Sequence, residues 1–258
     1  MIDIRSCTTM DEFDACVRLE TDTWGYDETE VVPRKTFLLA QKIGGQVIGA
    51  FESGNAAGAG ELVGFAMSLP GIKIVANQPV PYLHSHMLAV RADRRNCGLG
   101  VQLKREQRRE ALARGIRHME WTFDPLEIKN AFLNIHRLGA ICRAYRVNFY
   151  GVSSSRLQGG LPTDRLVAEW ELDSSRVQAS LDGRPVAPHG IEERIVVPAA
   201  IERWKAGDTE KALAVQAEIR NQFEQAFARG LAAIGFSRDT EGNGIFELGP
   251  LSNRASNL

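Results

Sequence analysis

Two histidines, His84 and His86, stand two residues apart in Tyr82 to Val90, and Arg95-x-x-Gly98-x-Gly100 follows within ten residues. The first stretch suits a β-strand and the second opens a strongly helical run, Gly98 to Gly115. Histidine is the side chain that can accept a proton near neutral pH, and two of them at i and i+2 share one strand face. Glycines let a backbone approach an anion closely, and the N–H groups of a first helical turn then point at it. The helix dipole adds roughly 0.3–1 kcal/mol at an exposed site, and Arg95 can add a charge-assisted hydrogen bond. Proton acceptors beside an anion cradle are what an enzyme using a phosphate-bearing acyl carrier needs. The alternative is that both histidines are satisfied structural residues.

Two other phosphate-binding patterns do not fit. A dinucleotide fingerprint needs a third glycine where Leu103 stands, and a P-loop needs Lys-Ser/Thr where Val101-Gln102 follow Gly100. The segment instead resembles motif A of the Gcn5-related N-acetyltransferases, in which a strand leads into a [Q/R]-x-x-G-x-[G/A] turn. Leu88-Ala89-Val90 belongs to the match, and His84-x-His86 is similar to the arylalkylamine N-acetyltransferase branch, where such a pair relays the substrate proton.

The resemblance implies roles residue by residue. His86 and His84 would be the catalytic bases, His86 the favoured one. Leu88, Ala89 and Val90 would bind the pantetheine arm of acetyl-CoA or another acyl-CoA. Arg95, Asn96, Cys97, Gly98, Leu99, Gly100 and Val101 would cradle its pyrophosphate. Asn130 would contact pantetheine. The family commonly places a Tyr on the following helix as general acid, and Asn130 to Gly139 contains none. His136, Tyr145 or solvent would take that role. Trp24 and Tyr26 would line the acceptor site or pack in the core. Cys97 reads as a spectator, and Glu120 as a hydrogen-bonded structural acid.

The elements needed to position these residues can be read in outline. Ile2 to Arg5 reads as a strand, and Thr9-Met-Asp-Glu12 as a capping box opening a helix. Thr36 to Lys42, Gln46 to Phe51 and Glu61 to Leu69 read as strands, the last ended by Pro70-Gly71, with Ser53 to Gly60 a flexible loop. Arg117 to Asp124 alternates, with Met119, Trp121 and Phe123 on one face. Ile128 to Leu138 reads as a helix, and Ile141 to Tyr150 and Arg165 to Leu172 as strands. Asp173 to Gly190 reads as a linker. Asp208 then caps a helix carrying Val215, Ile219, Phe223 and Phe227, ahead of a hairpin about Thr240 to Gly244. Lys104 to Glu110, KREQRRE, reads as a solvated helix face. The expected fold is α/β (α+β), with a mixed, mostly antiparallel sheet flanked by helices. The expected domains are a catalytic domain over 1–175 and a C-terminal α-β-β extension over 176–258, which would complete the acceptor pocket or make a homodimer contact.

Composition narrows the function. With 258 residues, 44% hydrophobic and 24% charged, and a net charge of -1, the chain has no field to attract nucleic acid or an anionic membrane. Four scattered cysteines without a C-x-x-C pair argue against zinc or other metal and for reduced thiols. No apolar run reaches the ~20 residues that span a bilayer, and the N-terminal residues lack the apolar core of a secretory signal. A cytoplasmic enzyme is expected, with a small amine or amino acid as acceptor. Acetyl-CoA is the default donor and succinyl-CoA the alternative. A non-catalytic acyl-CoA sensor is the reading from another class.

Overall fold

The computed structural model describes residues 1–53, 60–184, 186 and 190–251. The Ser53–Gly60 loop, apart from its ends, and both prolines of the 173–190 stretch fall outside them. The chain forms two compact units, Met1–Met119 with Ser154–Leu157, and Glu120–Ser153 with Gln158–Leu258.

In the first unit, β1 (Ile2–Ser6), β2 (Gln46–Glu52), β3 (Glu61–Val75) and β4 (Gln78–Val90) pair in that order, all antiparallel. Helices α1 (Met10–Trp24) and α2 (Arg34–Lys42) bury Phe13, Cys16 and Phe37 against Val47, Phe65, Met67, Met87 and Ala89. Helix α3 (Leu99–Ala113) buries Leu99 and Leu103 against the alternate residues Ile48, Ala50, Val63 and Ala66. With a layer on each face, β2 is buried almost throughout and shows no polar–apolar alternation. Each fully buried Phe stabilises this core by ~1.5–3 kcal/mol. The capping box on α1 forms as expected, Glu12 N donating to Thr9 Oγ1 at 3.3 Å and Thr9 N to Glu12 Oε2 at 3.1 Å.

Two expectations for this unit are corrected. Thr36 to Lys42 is helical: Phe37 and Ala40 are buried while Leu38 and Leu39 are exposed, a period of three rather than two. Strand β3 also runs through Pro70-Gly71 to Val75. Pro70 and Gly71 stay in register with Leu83 and Tyr82, and the reversal comes at Ala76-Asn77, both at positive φ. The Tyr82 ring lies where a Cβ on Gly71 would stand, so only glycine lets the ring cross there.

One buried acid in this unit yields a pH prediction. Glu20 Oε1 accepts from Val32 N at 2.9 Å, while Oε2 is buried without a partner among the described residues. Burial pushes its pKa up from 4.5 to about 7. Its stabilising contribution is therefore complete below the ordinary carboxylate range and is lost as pH rises through about 7. Thermal melts from pH 5 to 9 should show a steeper alkaline fall for the natural protein than for Glu20→Gln. Parallel curves would place the titration elsewhere.

Strand β5 (His118–Phe123) carries the chain into the second unit, where α4 (Ile128–Ala131) widens into a π-helical turn over Phe132–Arg137. The strand order there is β5-β7-β6-β9-β10-β8, with β6 (Ile141–Arg146), β7 (Arg165–Glu171), β8 (Glu193–Val197), β9 (Leu231–Arg238) and β10 (Gly244–Pro250). The described pairings β6–β7, β6–β9, β9–β10 and β8–β10 are antiparallel. The mostly antiparallel α/β fold is as expected, but the C-terminal region is richer than α-β-β. Helix α5 (Ser175–Leu181) lies inside the expected linker, capped by Ser174, and β8 and α6 (Ile201–Gly207) precede α7 (Thr209–Ala228). These pieces are short, so neither length nor periodicity distinguishes them from loop. Asp208 caps α7, its Oδ1 accepting from Lys211 N at 3.1 Å.

The C-terminal elements share a core with β6 and β7. Phe223 of α7 stacks on Tyr145 at 5.9 Å and meets Phe246 edge-on at 5.0 Å. Arg220 Nε and the Tyr145 hydroxyl both donate to the buried Asp164 Oδ2 at 2.8 Å. Residues 175 and 176 both lie within this second unit.

Candidate functional site

The turn after β4 has the backbone geometry that an anion cradle requires. Ala92–Arg94 makes one 3-10 turn, Arg95 is extended, and Asn96 (φ 62) and Gly98 (φ 80) are left-handed before α3 begins. Alternating hands turn successive N–H groups inward. No side chain caps the N-terminus of α3, and its first turn holds no acid. Among the described residues, nothing but its immediate chain neighbours and helix backbone stands within 4 Å of where a Cβ on Gly98 would be. Arg91 is held by Glu61 at 2.8 Å and Asp93 at 2.7 Å, and Arg94 by Glu52 at 2.7 Å, which pins the turn to the ends of β2 and β3. Arg95 differs: its Nε donates to Val90 O at 3.0 Å, and among the described residues no carboxylate pairs with it. Arg95 to Gly98 are exposed and Leu99 is buried, so Leu99 anchors the helix while the turn faces outward. Cys97 is a free, exposed thiol.

Upstream, β4 carries a register break that the sequence did not reveal. Met87 pairs with Met67 and Ser85 with Ser68, which leaves His86 as the extra residue of a β-bulge. The side-chain phase inverts across it. Ser85 hydrogen-bonds Gln107 and Lys104 on the α3 side, whereas Met87 packs with Phe13 and Phe37 on the other. Ser85 and Met87 therefore do not share a face as unbroken alternation implies. The His84 and His86 rings lie 6.1 Å apart, His84 half-buried and His86 exposed. Although its ring keeps accessible surface, the surrounding protein desolvates His86 and lowers its pKa from 6.5. Leu88 and Val90 pack on the α3 layer, and Ala89 lies in the opposite core.

Around α1, Trp24 packs on the core and stacks with Tyr26 at 5.8 Å. The Ser154–Leu157 segment docks here, Arg156 N donating to Trp24 O at 3.0 Å and Ser154 N to Glu30 Oε1 at 2.6 Å.

The second unit holds Asn130, exposed near the end of α4, and His136, exposed and stacked on Phe132 at 4.5 Å. Tyr145 is no candidate acid. Its hydroxyl is buried against Asp164, and burial, with the Asp164 charge, pushes its pKa above the ordinary tyrosine value. Among the described residues no three His, Cys, Asp or Glu side chains are grouped to hold a metal, and no helix is long and apolar enough to cross a membrane.

No family model matches the sequence, and no curated protein does either. Solved structures do resemble it. The ribosomal-protein-S18-alanine N-acetyltransferase of Escherichia coli superposes with a TM-score of 0.50 at 18% identity, over 68% of this chain and 96% of that one. A Desulfovibrio desulfuricans protein described as of the GNAT family gives 0.50 at 15% identity, over 67% and 99%. The structure of yncA from Salmonella typhimurium with its cofactor acetyl-CoA gives 0.51 at 17% identity, over 67% and 95%. The fold is that of the Gcn5-related N-acetyltransferases. The Gcn5-related match leaves the C-terminal region over, as additional structure on that fold.

Sequence reading missed the environment of Lys104. It belongs to the charged run expected to be solvated, yet it is 2% exposed, and Gln107 in the same run is 0% exposed. The available signal was helical spacing: Leu99, Leu103 and Ala111 define a buried stripe that passes through Gln107 and beside Lys104.

Proposed function

We propose that this protein is an acyl-CoA-dependent N-acyltransferase that moves the acyl group, acetyl by default, directly to the primary amine of a small molecule or amino acid. One observation carries this reading. A strand bearing two neighbouring imidazoles, one on a bulge, leads straight into a helix N-terminus that, among the described residues, no side chain caps, beside an arginine that pairs with no described carboxylate. The cradle suits a pyrophosphate, and acyl-CoA would supply the thioester carbonyl. His86, with its pKa lowered, is largely unprotonated at pH 7 and takes a proton from the amine as the amine nitrogen bonds to that carbonyl carbon. Backbone N–H groups of β4 next to the bulge donate to the carbonyl oxygen as it gains charge. The carbon–sulfur bond then breaks, and the thiolate takes its proton from solvent or an acid such as His136. The catalytic domain is taken as 1–175, with Asn130 contacting pantetheine, in a cytoplasmic enzyme.

Calorimetric titration with acetyl-CoA, succinyl-CoA and free CoA, followed by an amine panel, tests the reading. Micromolar binding that distinguishes the acyl groups is expected. Arg95→Ala should weaken it about tenfold, the worth of one charge-assisted hydrogen bond. Absence of binding to all three would remove the acyl-CoA assignment. The occupied Tyr145 hydroxyl favours one second reading, a protein that binds acyl-CoA without transferring it. Binding without turnover on any amine would select that reading.

A further inference from the structure

Five polar side chains are buried in the layer between the sheet and α3, where the surrounding residues are apolar. Lys104 Nζ donates to Ser85 Oγ at 2.9 Å, to Gln107 Oε1 at 3.0 Å and to Met119 Sδ at 3.6 Å. Ser85 Oγ donates to Gln107 Oε1 at 3.1 Å. Gln46 Nε2 reaches the Gln107 carbonyl at 3.0 Å, and Ser68 Oγ donates to Gln46 Oε1 at 3.0 Å. A layer of leucine and alanine would be at least as stable, because buried polar groups recover little more than their own desolvation. The placement of the five gives them a different use. Ser68 and Ser85 are the register pair on one side of the bulge, and Met67 and Met87, in the apolar core, are the pair on the other.

We propose that Lys104 is a positioning residue: with Ser85 and Gln107 it locks the bulge of β4 and so fixes where the His86 imidazole points. This inference rests on His86 being the base of the proposed acyl transfer. A one-residue slip of β4 would bring His86 opposite Ser68 and carry Ser85 away from Lys104, leaving buried polar groups unpaired. The network therefore specifies one register where apolar contacts alone would tolerate two. Lys104 stands one helical turn beyond Gly100, so the helix that presents the anion cradle also holds the base strand. Burial pushes the Lys104 amine well below its ordinary 10.5. His84 lies 6.1 Å from His86 ring to ring, and Lys104 meets the neighbouring Ser85.

The experiment follows His86 by NMR through a pH titration of the ligand-free protein, in Lys104→Met and in Lys104→Met/Gln107→Leu. The double variant removes both partners and restores an apolar contact, so its thermal midpoint should return toward that of the natural protein. His86 should nevertheless titrate closer to 6.5 in it, as the bulge relaxes and the ring gains solvent. Its kcat should drop by about 10- to 100-fold, the scale of a misplacement near 1 Å, with the KM for acyl-CoA little changed. A folded double variant whose His86 titration and kcat match the natural protein would reduce Lys104 to core filling and overturn the proposal. If neither Lys104 variant folds, Ser85→Ala, which removes only a hydroxyl, reads the same two quantities. The titration needs no acyl donor, so absence of acyl transfer by the natural protein would count against the proposed function alone.

Discussion

His86→Ala lowers kcat by about 10²- to 10⁴-fold at pH 7, the usual worth of a positioned general base, and leaves acyl-CoA affinity unchanged. Under the proposed function the two readouts separate because the turn and His86 are different parts of one segment. Arg95 to Leu99 presents the turn and the helix N-terminus, while His86 sits upstream on the bulge. The pH profile sharpens the test. Desolvation holds the imidazole below 6.5, so kcat/KM in the natural protein should rise with pH along an acid limb centred below that value and then level off. The limb reflects loss of the His86 proton, and it should vanish in His86→Ala. With His86 as the proposed base, His84, half-buried 6.1 Å away ring to ring, should cost less when replaced. Undiminished turnover in His86→Ala with the acid limb intact would transfer the role to His84. Undiminished turnover in the double variant would remove both histidines from the mechanism.

What was legible in the sequence was local. His84 to Gly100 is contiguous, so strand, turn and helix could be assigned by residue type and spacing. The capping box of α1, the Asp208 cap of α7 and the C-terminal hairpin were legible for the same reason. The bulge was not, because a one-residue break exists only relative to β3, and nothing near His86 marks it. Lys104 was misread because composition outweighed spacing: a lysine in KREQRRE looks solvated until the helix is rotated so that Leu103 faces the sheet. Thr36 to Lys42 failed in the opposite sense. Its apolar run fits either period, and the tertiary contacts of Phe37 and Ala40 decide for helix. Residues paired across a long stretch of chain, such as Tyr145 with Asp164 and Arg220, carry no spacing signal at all.

Lys205→Met should destabilise the fold by ~3–5 kcal/mol, the cost of leaving buried carboxylates without their cation. Lys205 Nζ, 4% exposed, lies 3.2 Å from Asp124 and 2.9 Å from Glu127, with Glu202 farther out at 3.5 Å. Burial alone would lower the Lys205 pKa, but these carboxylates outweigh it and raise it above 10.5. Glu127 is raised by burial against the pull of Lys205. Without the ammonium the Glu127 carboxyl is raised further, which fixes the sign of the pH dependence. A carboxylate whose folded pKa lies above its unfolded value stabilises the fold below the unfolded value and loses that contribution as pH rises. The variant should therefore melt well below the natural protein at pH 8 and recover much of the gap as pH falls toward 5. Melts at several pH values check this, and a gap that does not narrow on acidification would count against buried charge as the cause. The location gives the result its meaning. Asp124 Oδ1 also accepts from Leu126 N at 2.8 Å, closing the turn that leads from β5 into α4 and Asn130. A lysine from the C-terminal region thus holds the turn that leads into α4, within the second unit.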